Sequence, residues 1–248
     1  MSRLLVPADR LAGRLVHLTG PEVRHLRALR LRPGCHITIF DDRNNEYDAV
    51  LRSIAPREAE LEIQSTLTAS PPSGPPITLI AGVLKGQRMD MLVEKTTELG
   101  VRRIVPALTE LTVARPRGTE SMRTQRWRRL AVSAATQCGR AQVPSIEAPV
   151  RFADAVHATP GDALRVLFWE REPSVALPAI HAAEPAPTTV VVATGPEGGF
   201  TTGEVEMARQ AGFAVSGLGA HILRAETAAI VVLALCQLIW GELTTVSR

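Results

Sequence analysis

The sequence predicts an α/β protein: a small β-rich module, then a larger domain built on a mainly parallel sheet. Three observations carry this. The first 70 residues hold short segments that alternate apolar and polar residues between turn signals. "TASPPSGPP" (Thr68–Pro76) then packs four prolines and a glycine into nine residues, the composition of a linker. Beyond it, strand-like and helix-like segments alternate to the end, which calls for a sheet covered on both faces. The predicted division is a module at 1–70, a Pro-rich linker at 71–76 and an α/β domain at 77–248.

The elements follow in order. "PEVRHLRALR" (Pro21–Arg30) is a short helix with proline at its first turn. "HITIF" (His36–Phe40), "EYDAVLRSI" (Glu46–Ile54) and "EAELEIQS" (Glu58–Ser65) read as strands, with "DDRNN" (Asp41–Asn45) as the hairpin turn between the first two. The module they form is expected to be barrel-like. After the linker, Ile77–Leu84 is a buried strand, and Arg88–Gly100 is a helix with Met89, Leu92, Val93, Thr96 and Leu99 on one face. Val101–Leu108 is the next strand and Arg123–Cys138 the next helix. Leu164–Trp169 and Val190–Thr194 are further strands. A helix at Glu204–Gly212, a strand at Phe213–Leu218 and a buried helix from Glu226 complete the chain.

Composition excludes several classes. The chain of 248 residues is 45% hydrophobic, enough for a sizeable core. The N-terminus has no signal-like apolar run, and "AAIVVLALCQLIW" (Ala228–Trp240) is too short to span a bilayer. Cys35, Cys138 and Cys236 are odd in number and widely spaced, and no H-x-x-x-H pair occurs. A disulfide framework and a metal site are therefore not expected, and a soluble, cytoplasmic protein is. The net charge of +3 is carried by 26 Arg and two Lys, Lys85 and Lys95. Seven Arg fall between Met1 and Gly34, and seven more between Arg115 and Arg140 against Glu120 alone. Such local concentrations point to a polyanionic partner or to a solvated face.

Ligands of parallel α/β sheets sit outside the carboxyl ends of the strands, where two glycine-rich loops fall. One is "GPEGGF" (Gly195–Phe200), directly after "VVVAT". The other is "GLGAHILRAETA" (Gly217–Ala228). Either could be a tight strand-to-helix turn, but two at one sheet edge favour a pocket. "GPEGGFTT" offers no lysine and carries a carboxylate, so it is not a phosphate loop. "GLGAHI" has Ile222 where a dinucleotide fingerprint needs its third small residue, and only 26 residues follow, leaving no room for the next strand. A ligand held largely by backbone groups and tolerant of a nearby carboxylate remains.

These two loops resemble the cofactor motifs of the SPOUT methyltransferases, and within that superfamily the 16S ribosomal RNA uracil-N3 methyltransferases. "KGQRMDMLVEKTTELGV" (Lys85–Val101) and "QCGRAQVP" (Gln137–Pro144) are similar to two further motifs of that family, and "HLRALRLRPG" to its small PUA-like RNA-binding domain. The resemblance runs along essentially the whole chain. It departs at Ala220 and His221, where the family usually has a proline or serine and an arginine, and at Arg43, Asn44 and Asn45, which replace hairpin glycines.

The resemblance implies a PUA-like β-barrel domain before a SPOUT domain with a C-terminal trefoil knot, and a homodimer with its active site near the subunit interface. It implies S-adenosylmethionine as cofactor, methylation of N3 of one uridine in 16S rRNA, and the small ribosomal subunit as partner, with no membrane and no metal. A SPOUT ribose 2′-O-methyltransferase and a non-catalytic RNA-binding assembly factor are the alternatives. The cofactor residues it implies are Thr194, Gly195, Glu197, Gly198, Gly199, Leu218, Gly219, Ile222, Leu223, Thr227 and Ala228. Arg224 is expected to stabilise charge on the uracil, with Arg140 or Lys85 as a possible second donor, or else to form a structural salt bridge with Glu226 or Glu197. Glu197 or water would accept the proton; Glu197 could equally fix its loop, offset the sulfonium charge, cap the next helix or pair with Arg224. Arg24, Arg27, Arg30, Lys85, Arg88, Arg126, Arg129 and Arg140 are expected to grip RNA phosphates. "TTGE" (Thr201–Glu204) is a capping box, which makes Glu204 structural.

Overall fold

The computed structural model describes every residue except 1, 12, 42–44, 68–73, 114–119, 173, 175, 242 and 244–248. Most of the predicted linker and the middle of the "DDRNN" turn lie outside the described residues. The chain falls into two compact units, 1–71 with 132–143, and 72–131 with 144–248.

The first unit is a five-stranded sheet: β1 (Arg3–Leu5), β2 (Leu15–Thr19), β3 (His36–Phe40), β4 (Glu46–Ile54) and β5 (Glu58–Leu67), in the order β1-β3-β4-β5-β2. The β1–β3 pair is parallel and the others antiparallel. Two register shifts in the β4–β5 pair, at Asp48/Ala49 and Leu51/Ser53, are irregularities of the kind that increase twist. Helix α1 (Pro21–Ala28) packs Val23 and Leu26 into a core with Val16, Leu18, Ile37 and Ile39. It starts at Pro21, whose fixed φ suits the first turn. It ends sooner than predicted, because Arg30 leaves the helix with φ 55°.

The second unit holds β6 (Ile77–Gly82), α2 (Gln87–Glu98), β7 (Arg103–Leu108), the start of α3 (Glu120–Cys138), β8 (Ser145–Ile146), β9 (Val150–Arg151), α4 (Phe152–His157), β10 (Leu164–Phe168), α5 (Leu177–Ala183), β11 (Val190–Thr194), α6 (Thr202–Gln210), β12 (Ala214–Ser216) and α7 (Ala225–Trp240). The strands run in the order β12-β10-β11-β6-β7-β8, with β9 also pairing β7, and every pairing is parallel. Buried at all five positions, β11 shows none of the alternation of a one-sided strand, as a sheet covered on both faces requires. Phe152 and Phe200 stack at 4.7 Å inside one core, with Val191, Leu167 and Val205 around them.

Helix α6 begins with the predicted capping box. Thr201 Oγ1 accepts from the Glu204 amide at 3.2 Å, and Glu204 Oε2 accepts from the Thr201 amide at 2.9 Å. Glu204 Oε1 also accepts from the Glu110 amide at 2.9 Å, tying the β7 end to this helix. Cys236 is buried in α7, and desolvation pushes its thiol up to about 12, so it stays protonated at neutral pH. No helix among the described residues is long and apolar enough to cross a membrane.

Candidate functional site

Register brings the site together. Phe168, the last residue of β10, pairs with Thr194, the last of β11, and with Ser216, the last of β12. Three parallel strands therefore end in one row, and the chain leaving each end lines a cavity of about 470 Å³. The first loop contributes Thr194–Gly199, the second contributes Leu218, Gly219 and His221–Glu226, and Ala228 follows from the first helical turn.

The two glycine loops are built differently. In the first, a Cβ on Gly195 would stand 3.0 Å from the Gly199 backbone, and one on Gly198 would stand 2.8 Å from Leu111 Cβ. Gly199 has φ +71° and faces the Glu170 carboxylate. Those glycines are dictated by the protein's own packing. In the second loop Gly219, at φ +106°, has nothing within 4 Å of its Cβ position, and Ile222 is 79% exposed beside it. Gly219 thus has both a conformation that favours glycine and open space for a close approach.

Glu197 joins two loops. Its Oε1 accepts from the Lys85 amide at 2.9 Å and from Arg88 Nη1 at 3.3 Å, fastening "GPEGGF" to the segment between β6 and α2. It neither caps α6, which Thr201 and Glu204 do, nor pairs with Arg224. Arg224 is the N-cap of α7; its carbonyl accepts from the Ala228 amide at 2.8 Å. Its exposed side chain lines the cavity, with no ion-pair partner among the described residues.

Among the described residues, two buried atoms of the cavity lining have no hydrogen-bond partner: Oγ1 of Thr194, in a residue 2% exposed, and Oε2 of Glu226, in a residue 7% exposed. Buried polar groups are nearly always hydrogen-bonded, so unmatched ones in a cavity wall fit a ligand that supplies polar groups. Open space over Gly219 and apolar walls from Leu218, Ile222 and Leu223 fit the adenosine part of a nucleoside cofactor.

Of the cofactor residues expected from sequence, Thr194, Gly195, Glu197, Gly198, Gly199, Leu218, Gly219, Ile222, Leu223 and Ala228 all line this cavity. Thr227 is exposed on α7 and is not among the lining residues, because the helical turn that brings Glu226 and Ala228 to the cavity carries it away. Sequence reasoning missed a third contribution, Phe168, Trp169 and Glu170 after β10. Trp169 is fixed there by a 3.2 Å bond from its Nε1 to the Phe200 carbonyl.

The expected RNA-binding residues fall in both units. In the first, Arg24, Arg27 and Arg30 are exposed on and just after α1, while Arg140 is half-buried and already engaged. In the second, Lys85 and Arg88 are exposed at the start of α2, Arg88 at the cavity. Arg126 is clamped on Asp90 at 3.1 and 2.6 Å, so a phosphate would have to compete for it. Arg129 is exposed, with Nε donating to the Gln125 carbonyl at 3.3 Å. Among the described residues no group of three or more His, Cys, Asp or Glu could hold a metal ion.

Fold and cavity together define a small-ligand-binding α/β domain joined to a small β module. The profile of the RNA methyltransferase domain matches residues 71–237, and that of the RNA methyltransferase PUA domain matches 18–64. A ribosomal RNA small subunit methyltransferase E of Synechocystis is 33% identical over 234 residues, covering 94% of this chain and 76% of the relative. The crystal structure of a ribosomal RNA small subunit methyltransferase E from Neisseria gonorrhoeae bound to S-adenosylmethionine superposes with a TM-score of 0.90 at 32% identity, covering 98% of this chain and 99% of that one. A methyltransferase from Legionella pneumophila, also solved with S-adenosylmethionine, gives 0.89 at 29% identity, covering 97% and 98%. The chain belongs to the RNA methyltransferase family of the small-subunit methyltransferase E enzymes.

Proposed function

We propose that this protein uses S-adenosylmethionine to methylate 16S rRNA of the small ribosomal subunit, at N3 of one uridine. The observation that carries the cofactor assignment is the cavity at the row of strand ends, with its unmatched Thr194 hydroxyl and the open approach over Gly219. The S-adenosylmethionine-bound relatives, alike over nearly their whole length, support it. The choice of N3 rests on the resemblance of the Lys85–Val101 and Gln137–Pro144 segments to the uracil-N3 family.

When bound, the cofactor supplies an electrophilic methyl group. The chain's own residues have three tasks. Leu218, Ile222 and Leu223 wall the adenosine from water, and the first loop holds its shape through Glu197. Arg224, exposed at the cavity rim and without an ion-pair partner among the described residues, donates N–H groups to the uracil oxygens that flank N3. That donation stabilises the negative charge that develops as the N3 proton leaves. The proton passes to water, or to Glu197 once Arg88 turns to RNA.

RNA is gripped by Arg24, Arg27, Arg30, Lys85, Arg88, Arg126, Arg129 and Arg140 through phosphates, giving affinity that falls with salt. The functional division is an RNA-binding domain at 1–70, a linker at 71–76 and a methyltransferase domain at 77–248. That domain carries the trefoil knot implied by the SPOUT resemblance. The active form is a cytoplasmic homodimer, supported by the partly exposed apolar stripe Ile230, Ala234 and Leu238 on α7.

The test is methyl transfer from labelled S-adenosylmethionine to purified small subunits and to naked 16S rRNA from a strain lacking the protein. Nuclease digestion and mass spectrometry then identify the product. N3-methyluridine at one site is the expected result. Transfer to a ribose hydroxyl overturns the N3 assignment, and no transfer with no cofactor binding overturns the enzyme itself.

A further inference from the structure

Three carboxylates line the cavity, and each is in a different situation. Glu197 is engaged by Lys85 and Arg88. Glu226 is buried, 7% exposed, with its Oε2 unmatched among the described residues. Glu170 is open: its side chain keeps 29% of its accessible surface, and among the described residues its one ion-pair contact is with the adjoining Arg171 at 3.7 Å, beyond hydrogen-bond distance.

Glu170 belongs to neither glycine loop. It follows β10 by two residues, next to the end of β11 that carries the unmatched Thr194 hydroxyl. Its two oxygens lie over the first loop, 2.5 and 2.8 Å from where a Cβ on Gly199 would stand. Any side chain at 199 would displace this carboxylate, so the loop is cut back where Glu170 reaches the cavity.

Taking the cavity as the S-adenosylmethionine site proposed above, we infer that Glu170 is a specificity-determining residue that accepts hydrogen bonds from the two ribose hydroxyls of the cofactor. An ionised carboxylate presents two acceptor oxygens side by side, and a vicinal diol presents two donors at a similar spacing. Acidic residues read ribose hydroxyls in the same way in unrelated nucleotide-binding sheets. The sulfonium is the poorer partner. Its charge is lost on transfer, so a carboxylate held on it stabilises the starting state more than the transition state and slows the reaction. The ribose is unchanged by the reaction and is held equally throughout.

The experiment is calorimetric titration of the full chain and its Glu170→Ala and Glu170→Gln variants with four probes. These are S-adenosylmethionine, S-adenosylhomocysteine, 5′-methylthioadenosine and the 2′-deoxy form of 5′-methylthioadenosine. Glu170→Ala is expected to weaken the three ribose-bearing probes by one common factor, about tenfold or more for lost bonds to a charged acceptor. Glu170→Gln, which keeps one acceptor oxygen, recovers part of that loss. The unaltered protein discriminates against the deoxy probe, and the alanine variant no longer does. Circular dichroism melting checks that both variants stay folded, as the exposure of Glu170 predicts.

A loss confined to S-adenosylmethionine would move Glu170 to the sulfonium, and a loss that spares 5′-methylthioadenosine would move it to the amino-acid end. Full discrimination against the deoxy probe by the alanine variant would also sink the assignment. An unaltered protein that binds none of the probes removes the cofactor reading, and this inference with it.

Discussion

The two glycine-rich loops of the cavity look alike in sequence and differ in what their glycines do. In the first, the glycines meet protein atoms: Gly195 meets Gly199, Gly198 meets Leu111, and Gly199 meets Glu170. Glu197 then fastens the loop to the start of α2. In the second, Gly219 faces open space, and Ile222 and the Arg224 side chain reach toward solvent. One loop is a finished wall; the other is a surface waiting for contacts. Changes in the first should register as lost stability, and changes in the second as lost binding or turnover.

The sharpest test of the second loop is Arg224→Ala. Removing one preorganised donor from developing charge should lower kcat about 100- to 1,000-fold. Calorimetry should find cofactor affinity nearly intact. Gly198→Val tests the first loop, since its Cβ would stand 2.8 Å from Leu111 Cβ. Overpacking of this kind should remove about 1–3 kcal/mol of stability, seen as a lower melting temperature. Ile222→Ala is its mirror. At 79% exposure its melting temperature should hardly move. Cofactor affinity should still fall about tenfold, as expected when the ligand buries about two of the three carbons removed at about 0.8 kcal/mol each. Glu197→Gln comes last and is read as stability, with turnover unchanged where water is the proton acceptor. The amide still accepts from Lys85, so only the half-exposed pair with Arg88 is lost, worth about 0.5 kcal/mol and less in high salt. A Gly198→Val protein that melts normally, or an Ile222→Ala protein that unfolds early, would erase the contrast.

Much of the fold was legible because long elements repeat their pattern. β4, β11 and α2 were visible in apolar spacing, and the Thr201–Glu204 cap in its spacing of threonine and glutamate. Short elements were not. Three residues of β1, two each of β8 and β9, and the brief helices α4 and α5 hold too few turns or alternations to stand out. β2 does alternate, with Val16 and Leu18 buried, but its five residues sit among arginines and histidine that read as a charged surface. At the site, both glycine loops were readable from composition. Phe168–Glu170 was not, since it has no glycine to mark it. Its place follows from the pairing of Phe168 with Thr194, which a local pattern cannot reveal. The one available signal was a polar residue directly after an aromatic strand end, in a strand predicted to share the sheet edge. Glu197 was readable as a residue of interest but not in its role, because its partners Lys85 and Arg88 come from a distant part of the chain.

Strand β6 pairs with β11 through Ile77 and Val190, so nearly half the chain lies between two neighbours in the sheet. The row of strand ends that shapes the cavity needs β10, β11 and β12, and its far wall needs the first turn of α7. During synthesis β6 can pair with β7 early, but its other edge waits for β11. Pairings this remote are slow to form. A nascent chain halted before Ala228 has the whole of the β module but no complete pocket. The pocket is complete only once the first turn of α7 has joined the row of strand ends.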